Sequence, residues 1–371
     1  MGSTSAWLKA WDSQGTHRTA TPGDHAGAEW LASEASALGA SVTIEEFRLE
    51  RLDPAAAFLQ IGEAVIEGVP VFDAPVTGTD GIAGVLGKTI AVQEFSPRAV
   101  YDPAYRTFRE AEDHDALVII CQGEHPGLGL LNAEQFREPY GAPAIHVSSE
   151  DRDRVLAAAA RGARVRLIGD SRHAPGRARN VVVTLPGRDP ARVPVVVMTP
   201  RSSWWQSTSE RGGGIVCWLE TLRALLAEPP AGDVILTANS GHELGHLGLD
   251  EFIARRPGWD QPNGAVWVHY GANIGAAGGA LSVVSADGAL RDGMQGALAR
   301  AGVPPPVMAP TSMVPSGETR DIHRAGGRYV TLVGTNPLFH LPQDRWPHAV
   351  DVPMIERIAA AAARMVMELT H

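Results

Sequence analysis

Cysteine is nearly absent from this chain of 371 residues. Only Cys121 and Cys217 occur, far apart and each within an apolar stretch. Two such residues can build neither a disulfide framework nor a thiolate metal cluster. We therefore expect both cysteines to be core residues.

The sequence also lacks long apolar runs and an excess of positive charge. No run approaches the ~20 apolar residues that a membrane-spanning helix needs, so we do not expect a membrane protein. Lys and Arg number 32 against 42 Asp and Glu, and the net charge of -10 repels phosphate backbones. Nucleic acid is therefore not an expected partner. The first 12 residues lack the basic and apolar regions of a secretory signal, which favours a cytoplasmic location.

The remaining composition is that of a globular protein, with 44% hydrophobic and 20% charged residues. The length favours two domains. Residues 52–169 show short β-like runs punctuated by Gly and Pro, whereas strand and helix patterns alternate after residue 179. We predict an α/β protein with a mainly parallel sheet flanked by helices. Its main domain spans residues 1–51 and 170–371, and an inserted β-rich domain spans residues 52–169.

Several short motifs place polar residues beside predicted strand ends and helix starts. They are GTHRTATPG at 15–23, ARNVV at 178–182, TPRSS at 199–203, SERGGG at 209–214, GHELGHLG at 241–248, WVH at 267–269 and FHLPQD at 339–344. Together they resemble the co-catalytic zinc aminopeptidases, a family that also contains glutaminyl cyclases and the ectodomain of the transferrin receptor. The resemblance implies the aminopeptidase fold. It also likens residues 52–169 to the protease-associated (PA) domain that many members carry as an insertion.

The resemblance implies a metal site as well. In that family a His and an Asp on separate strands, a bridging Asp, a Glu beside the catalytic Glu and a final His hold two metal ions. His340 matches the final His, and Glu243 matches the ligand Glu. Glu210 replaces the bridging Asp, and His269 stands at the strand end that presents the other Asp. The implied ligands are these four residues.

Three positions depart from the family pattern. Pro200 occupies the place of the first His, and Ser202 stands where an Asp commonly follows. His242 occupies the position of the catalytic Glu, so that an imidazole replaces the general base. These losses favour a mononuclear or labile site over a tightly held pair. The predicted cofactor is one divalent transition metal per chain, zinc first, with manganese, cobalt or no metal as alternatives.

His242 and Glu243 are the predicted catalytic residues. A metal-bound water is acidified toward neutrality, and an imidazole titrates in the range that suits proton transfer from it. The candidate substrate-binding residues flank the predicted cleft and suit a carboxylate by charge or a flat apolar group by stacking: Arg211, Trp204, Trp205, Arg320 and His323.

The string HELGH at residues 242–246 has a second interpretation. It matches the zinc signature in which two histidines share one helix face and Glu243 acts as base. No third ligand motif follows it, and a strand-to-helix switch before Gly241 fits the aminopeptidase sheet better. We therefore interpret His246 as structural. The glycines at 212–214 lack the Lys and Ser or Thr of a phosphate loop, which favours a tight helix start.

These patterns predict a metal-dependent, peptidase-like hydrolase that cleaves an amide or other C–N bond of a small molecule or short peptide. One alternative is a metal-independent lyase or isomerase that uses His242 and His269 in the same pocket. Another is a noncatalytic binding or assembly protein with a decayed peptidase site. A homo-oligomer is left open, because apolar stretches within residues 52–169 would form an interface if exposed.

Overall fold

The computed structural model describes residues 3–370, which form nine helices and thirteen strands. The helices are α1 (Thr4–Asp12), α2 (Pro22–Ala37), α3 (Pro103–Glu110), α4 (Arg152–Ala160), α5 (Thr208–Ala227), α6 (Leu247–Ala254), α7 (Gly288–Arg300), α8 (Thr319–Arg324) and α9 (Val352–Thr370). The strands are β1 (Val42–Ile61), β2 (Ala64–Pro70), β3 (Ile82–Val85), β4 (Ile90–Phe95), β5 (Ala116–Cys121), β6 (Ala144–Val147), β7 (Arg164–Leu185), β8 (Val195–Pro200), β9 (Val234–Asn239), β10 (Val266–Tyr270), β11 (Leu281–Val284), β12 (Val307–Met308) and β13 (Arg328–Gly334).

Parallel strands form the centre of the main sheet. They lie in the order β13, β10, β8 and β9, and β8, β9 and β10 are buried along their whole length. Such continuous apolar runs are expected where helices cover both faces of a parallel sheet. At the flanks, β11 pairs with β13 and β7 pairs with β9 in antiparallel orientation. The predicted fold class, a mainly parallel α/β sheet flanked by helices, is confirmed.

The largest apolar core lies between this sheet and the helices α1, α2, α5, α7 and α9. The glycines at 212–214 lie in the first turns of α5, where a Cβ on Gly213 would stand 1.9 Å from the carbonyl oxygen of Ile274. They therefore let the α5 backbone approach the loop that follows β10. None of the described helices is long and apolar enough to cross a bilayer.

Residues 52–169 are joined to the rest of the molecule by two long strands. β1 and β7 pair antiparallel from Val42 and Val183 to Ile61 and Val165. Both predicted domain boundaries therefore fall inside continuous strands. The sheet continues outward through β2, β6, β5 and β4. A second apolar core lies between this part of the sheet and α4. The division into a main domain and an inserted PA-like domain stays a prediction.

A buried ion pair connects α2 with the segment that follows β8. Arg201 Nη2 lies 2.9 Å from Asp24 Oδ1, and neither side chain is exposed. Arg201 also donates to the backbone carbonyl of Arg179, while Asp24 Oδ2 accepts from Ser240 Oγ, just after β9. The pair thus fixes the two loops that leave the carboxyl ends of β8 and β9.

We expect Arg201→Met to lower the free energy of unfolding by about 3–5 kcal/mol, because it leaves the Asp24 carboxylate buried without its counter-charge. Urea denaturation measures the change. Arg300→Met is the matched control, since Arg300 pairs with Glu368 at the surface and both side chains are about half exposed. Its expected loss is about 0–1 kcal/mol. Equal losses in the two variants would contradict this account.

Candidate metal and active site

Polar side chains from six segments meet beyond the carboxyl ends of the central parallel strands. In open α/β sheets this edge is where ligands bind. The loop after β8 carries Ser202, and the loop after β9 carries His242 and His246. His269 lies near the end of β10, and Glu210 and Arg211 lie at the start of α5. The loops before α8 and α9 carry Glu318 and His340.

The turn after β9 determines where its two histidines stand. Gly241 and Gly245 adopt left-handed backbone conformations with φ of +85° and +79°, and His242–Leu244 forms a single 3-10 turn between them. His246 also has a positive φ of 65°, and α6 begins only after it. His242 and His246 therefore do not share a helix face, as the alternative zinc signature requires. Their ring centroids are nevertheless 5.3 Å apart.

Glu243 is buried and both its carboxylate oxygens are occupied by hydrogen-bond donors. Oε1 accepts from the backbone N and the Oγ1 of Thr19 at 2.7 and 2.6 Å, and Oε2 accepts from Ser202 Oγ at 2.5 Å. Ser202 Oγ accepts in turn from the backbone N of Gly241 and of His242. Burial raises the pKa of Glu243. Glu243 thus connects its own turn to Thr19 near the N-terminus and to Ser202 after β8. Its roles as metal ligand and as catalytic residue stay predictions.

Glu318 is the carboxylate that contacts the histidines of the site. Its Oε1 lies 2.8 Å from His242 Nδ1, and its Oε2 lies 3.4 Å from His269 Nε2. Within residues 3–370, His242, His246 and Glu318 are the one set of three or more His, Cys, Asp or Glu whose ligand atoms all lie within 4.8 Å of one another. Sequence reasoning missed Glu318, because no motif or periodic pattern marks the irregular segment before α8.

Glu210, Arg211 and His340 form a second cluster. Glu210 Oε1 lies 2.7 Å from Arg211 Nη2 and 3.4 Å from His340 Nε2, and all three side chains are buried. Burial opposes the charged form of Glu210, but the charge of Arg211 and the contact with His340 lower its pKa to about 2. Arg211 Nε donates to the carbonyl of Ser202 at 2.7 Å. The structure therefore brings these three predicted site residues together.

Several buried nitrogen and oxygen atoms of this region have no hydrogen-bond partner. Most belong to imidazoles and carboxylates, the donors that zinc and similar ions prefer: His246 Nε2, His269 Nδ1 and Nε2, His340 Nε2, Glu318 Oε2 and Glu210 Oε2. Glu210 Oε1 and the Nη1 and Nη2 atoms of Arg211 also form no hydrogen bond, although Glu210 Oε1 and Arg211 Nη2 form an ion pair at 2.7 Å. A group of such atoms in one place calls for a further partner, because unpaired buried polar groups are rare and costly. The imidazole and carboxylate atoms therefore fit a divalent metal ion.

The environments of the histidines set their protonation. Burial lowers the pKa of His242 to about 4, so its ring is neutral at neutral pH. His246 Nδ1 lies 2.6 Å from Asp321 Oδ2, and although burial acts against it, this contact raises the pKa of His246. His340 Nδ1 donates to the carbonyl oxygen of Leu130 at 2.7 Å, which leaves Nε2 as the nitrogen with the free lone pair.

Residues from the 52–169 segment take part in the wall of the site. A small pocket is lined by His242, His269 and His340 together with Arg98 and Tyr101. A substrate that reaches the histidines therefore also meets this segment.

The remaining predicted substrate-binding residues have other partners. Arg320 Nη1 forms an ion pair with Glu134 at 2.7 Å, and its guanidinium lies 5.6 Å from the ring centroid of Tyr101. It thus connects α8 to Glu134 and Tyr101 of the 52–169 segment. His323 Nδ1 lies 3.1 Å from the hydroxyl of Tyr329 and does not join the donor clusters described above.

The two tryptophans pack at the edge of the site. Trp204 stacks on Phe72 with ring centroids 4.7 Å apart and donates to Asn132 Oδ1 at 3.2 Å. Trp205 donates from its indole nitrogen to the carbonyl of His340 at 3.0 Å. These contacts make Trp204 a packing residue, whereas Trp205 holds the loop that carries His340.

No family model matches the sequence, and no curated protein matches it. Solved structures do match. A zinc aminopeptidase from Bacillus subtilis superposes with a TM-score of 0.79 at 15% identity, over 99% of this chain and 94% of that chain. A peptidase precursor from Shewanella amazonensis gives 0.77 at 14% identity, over 98% and 92%. A glutaminyl cyclase from Bacteroides thetaiotaomicron gives 0.52 at 12% identity, over 98% and 96%.

At identities of 12–15% these similarities establish the fold of the chain, and they do not establish its activity or its ligands. The chain has the fold of zinc aminopeptidases and of a glutaminyl cyclase, as the sequence motifs predicted. The PA-like nature of residues 52–169 and the altered metal site stay predictions.

We expect Glu243→Gln to lower the free energy of unfolding of the metal-free protein by about 1–3 kcal/mol. Whichever way the new amide is turned, its nitrogen faces a donor from Thr19 or Ser202, so that a buried hydrogen bond is lost. Denaturation after chelation of metals measures the effect, and Glu63→Gln, in an exposed turn, is the control. Unchanged stability together with loss of bound metal would instead assign Glu243 as a ligand.

Proposed function

We propose that this protein is a metal-dependent hydrolase that cleaves an amide or other C–N bond of a small molecule or short peptide. The observation that carries the proposal is the group of buried imidazole and carboxylate atoms without hydrogen-bond partners at the carboxyl ends of β8, β9 and β10. A divalent ion held there would acidify a bound water and polarise the carbonyl of the substrate. Zinc is the first candidate, with manganese and cobalt as alternatives.

Three of the four ligands that the motifs predicted keep donor atoms free for an ion. They are Glu210, His269 and His340. Both oxygens of the fourth, Glu243, accept hydrogen bonds from Thr19 and Ser202. Support for a metal therefore comes from the first three residues, from His246, which the alternative zinc signature marked, and from Glu318, which no motif marked.

Proton transfer in this site would fall to an imidazole. The rings of His242 and His269 both line the cavity and both contact the carboxylate of Glu318, which holds them in place. A neutral imidazole accepts a proton from the attacking water and returns it to the leaving amine. We assign this step to His269, because an imidazole that binds the ion has no lone pair left for a proton, and His242 is one of the three donors that lie close enough together to hold an ion.

The small pocket beside the histidines favours a small substrate. Arg98 and Tyr101 line it together with His242, His269 and His340. Short peptides and small amides suit such a site, and the aminopeptidase names of the structural neighbours agree with this substrate class.

The proposal is tested by the metal dependence of hydrolysis. We expect exhaustive chelation to abolish cleavage of at least one member of a panel of aminoacyl 4-nitroanilides, dipeptides and N-acyl amino acids. Added Zn²⁺, Mn²⁺ or Co²⁺ should restore it. His269→Ala should lower kcat/KM by about 10²–10⁴-fold at saturating metal. His323→Ala is the matched control, because His323 contacts Tyr329 rather than the donor clusters.

Two outcomes would contradict the hydrolase. Turnover that survives complete removal of metal would favour the lyase or isomerase that uses His242 and His269. A metal-loaded protein that cleaves no member of the panel but binds some of them would favour the noncatalytic binding protein.

A further inference from the structure

The geometry points to a site for one ion only. We propose that a single divalent cation is held by His242, His246 and Glu318, and that the guanidinium of Arg211 stands in place of a second cation beside Glu210 and His340. The inference rests on the metal requirement of the proposed function, although not on which bond is cleaved. It assigns the ion to ligands other than the four that the aminopeptidase resemblance implies, and it shares His242 and His246 with the alternative zinc signature.

The first step is the arrangement of the donors. One ligand atom each from His242, His246 and Glu318 can be chosen so that all three lie within 4.8 Å of one another, and all three residues are buried. His246 Nε2 and Glu318 Oε2 have no hydrogen-bond partner. Three protein ligands with an open fourth position are the usual arrangement of a catalytic zinc site.

The orientation of His246 supports its role as a ligand. Its Nδ1 lies 2.6 Å from Asp321 Oδ2, so that the proton stays on Nδ1 and the lone pair is on Nε2. Imidazoles that bind metals typically donate their other nitrogen to a carboxylate or carbonyl in this way. The backbone of His246 adopts a positive φ of 65°, a conformation that is uncommon for residues other than glycine and that clusters at functional sites.

The second step is the balance of charge between the two carboxylates. Glu210 already has a cation against it, because Arg211 Nη2 lies 2.7 Å from its Oε1. Glu318 is equally buried, and within the described part of the chain its ion-pair contacts are imidazoles alone. A buried carboxylate needs a compensating charge. An incoming cation is therefore attracted to Glu318 and repelled from Glu210.

The third step is that Arg211 is held in this position. Its Nε donates to the carbonyl of Ser202 at 2.7 Å, and Ser202 Oγ accepts from the backbone N of His242. Hydrogen bonds through Ser202 thus connect the guanidinium of Arg211 to the backbone of the proposed ligand His242. Arg keeps its charge at every physiological pH, so that it cannot make way for an ion by losing a proton.

The Glu210 and His340 pair also lacks a third ligand. Both oxygens of Glu243, the residue that the motifs assigned to this set, accept hydrogen bonds from Thr19 and Ser202, and within residues 3–370 its ligand atoms do not cluster with those of Glu210 and His340. Two protein donors beside a fixed guanidinium make a poor site for a divalent ion. Removal of the guanidinium should improve it.

The test is the number and affinity of ions bound to the full-length chain, measured by elemental analysis after equilibrium dialysis against Zn²⁺ and by titration with Co²⁺ followed in the visible spectrum. We expect one ion per wild-type chain. Glu318→Gln and His246→Ala should weaken binding by at least about 100-fold. Glu210→Gln and His340→Ala should retain the ion. Thermal unfolding of each metal-free variant shows whether it is folded.

Arg211 is tested by a matched pair of variants. Arg211→Met removes the charge at similar length and should admit a second, weaker ion. Arg211→Lys retains the charge and should bind one ion.

Four results would overturn the inference. Retention of the ion in Glu318→Gln with its loss in Glu210→Gln and His340→Ala would place it in the other cluster. Two ions in the wild type, or one ion in Arg211→Met, would remove the role of Arg211. No ion in the wild type would overturn the site and the metal requirement together. Because these measurements use no substrate, failure of the hydrolase alone would leave them unchanged.

Discussion

The buried carboxylate of Glu243 holds together the segments on which the candidate site depends. It joins Thr19 near the N-terminus to Ser202 after β8, and Ser202 in turn binds the backbone of the turn that carries His242. Inside a protein a carboxylate is stable only when its oxygens are paired, and such a network is rigid when every member is satisfied. The hydrogen bonds that fix this turn thus engage both carboxylate oxygens of Glu243.

The other two buried carboxylates of the site have different partners. Glu318, in the loop before α8, contacts His242 and His269, while Glu210 forms an ion pair with Arg211. The two carboxylates are both buried but electrically different, since one has a fixed cation and the other contacts imidazoles. Residues of the 52–169 segment line the same pocket as His242 and His269, so that this segment shapes the space for a substrate.

Much of the fold and part of the site were predictable from the sequence. His340, Glu210, Arg211 and His269 stand beside strand ends or helix starts that apolar patterns reveal, and parallel strands bring such residues to one edge. Glu318 was missed because its segment has no pattern and its partner His242 lies 76 residues away. His323 contacts Tyr329, and its predicted role in substrate binding stays a prediction.

The sequence by itself determined the order of strands and helices and the types of ionisable side chain near the sheet edge. The reason is that apolar periodicity and turn residues act locally along the chain. Only the tertiary structure decided that Glu210 pairs with the guanidinium of Arg211, whereas Glu318 contacts imidazoles. That choice depends on contacts such as Thr19 with Glu243, which are 224 residues apart, and packing of the whole chain brings them within hydrogen-bond distance.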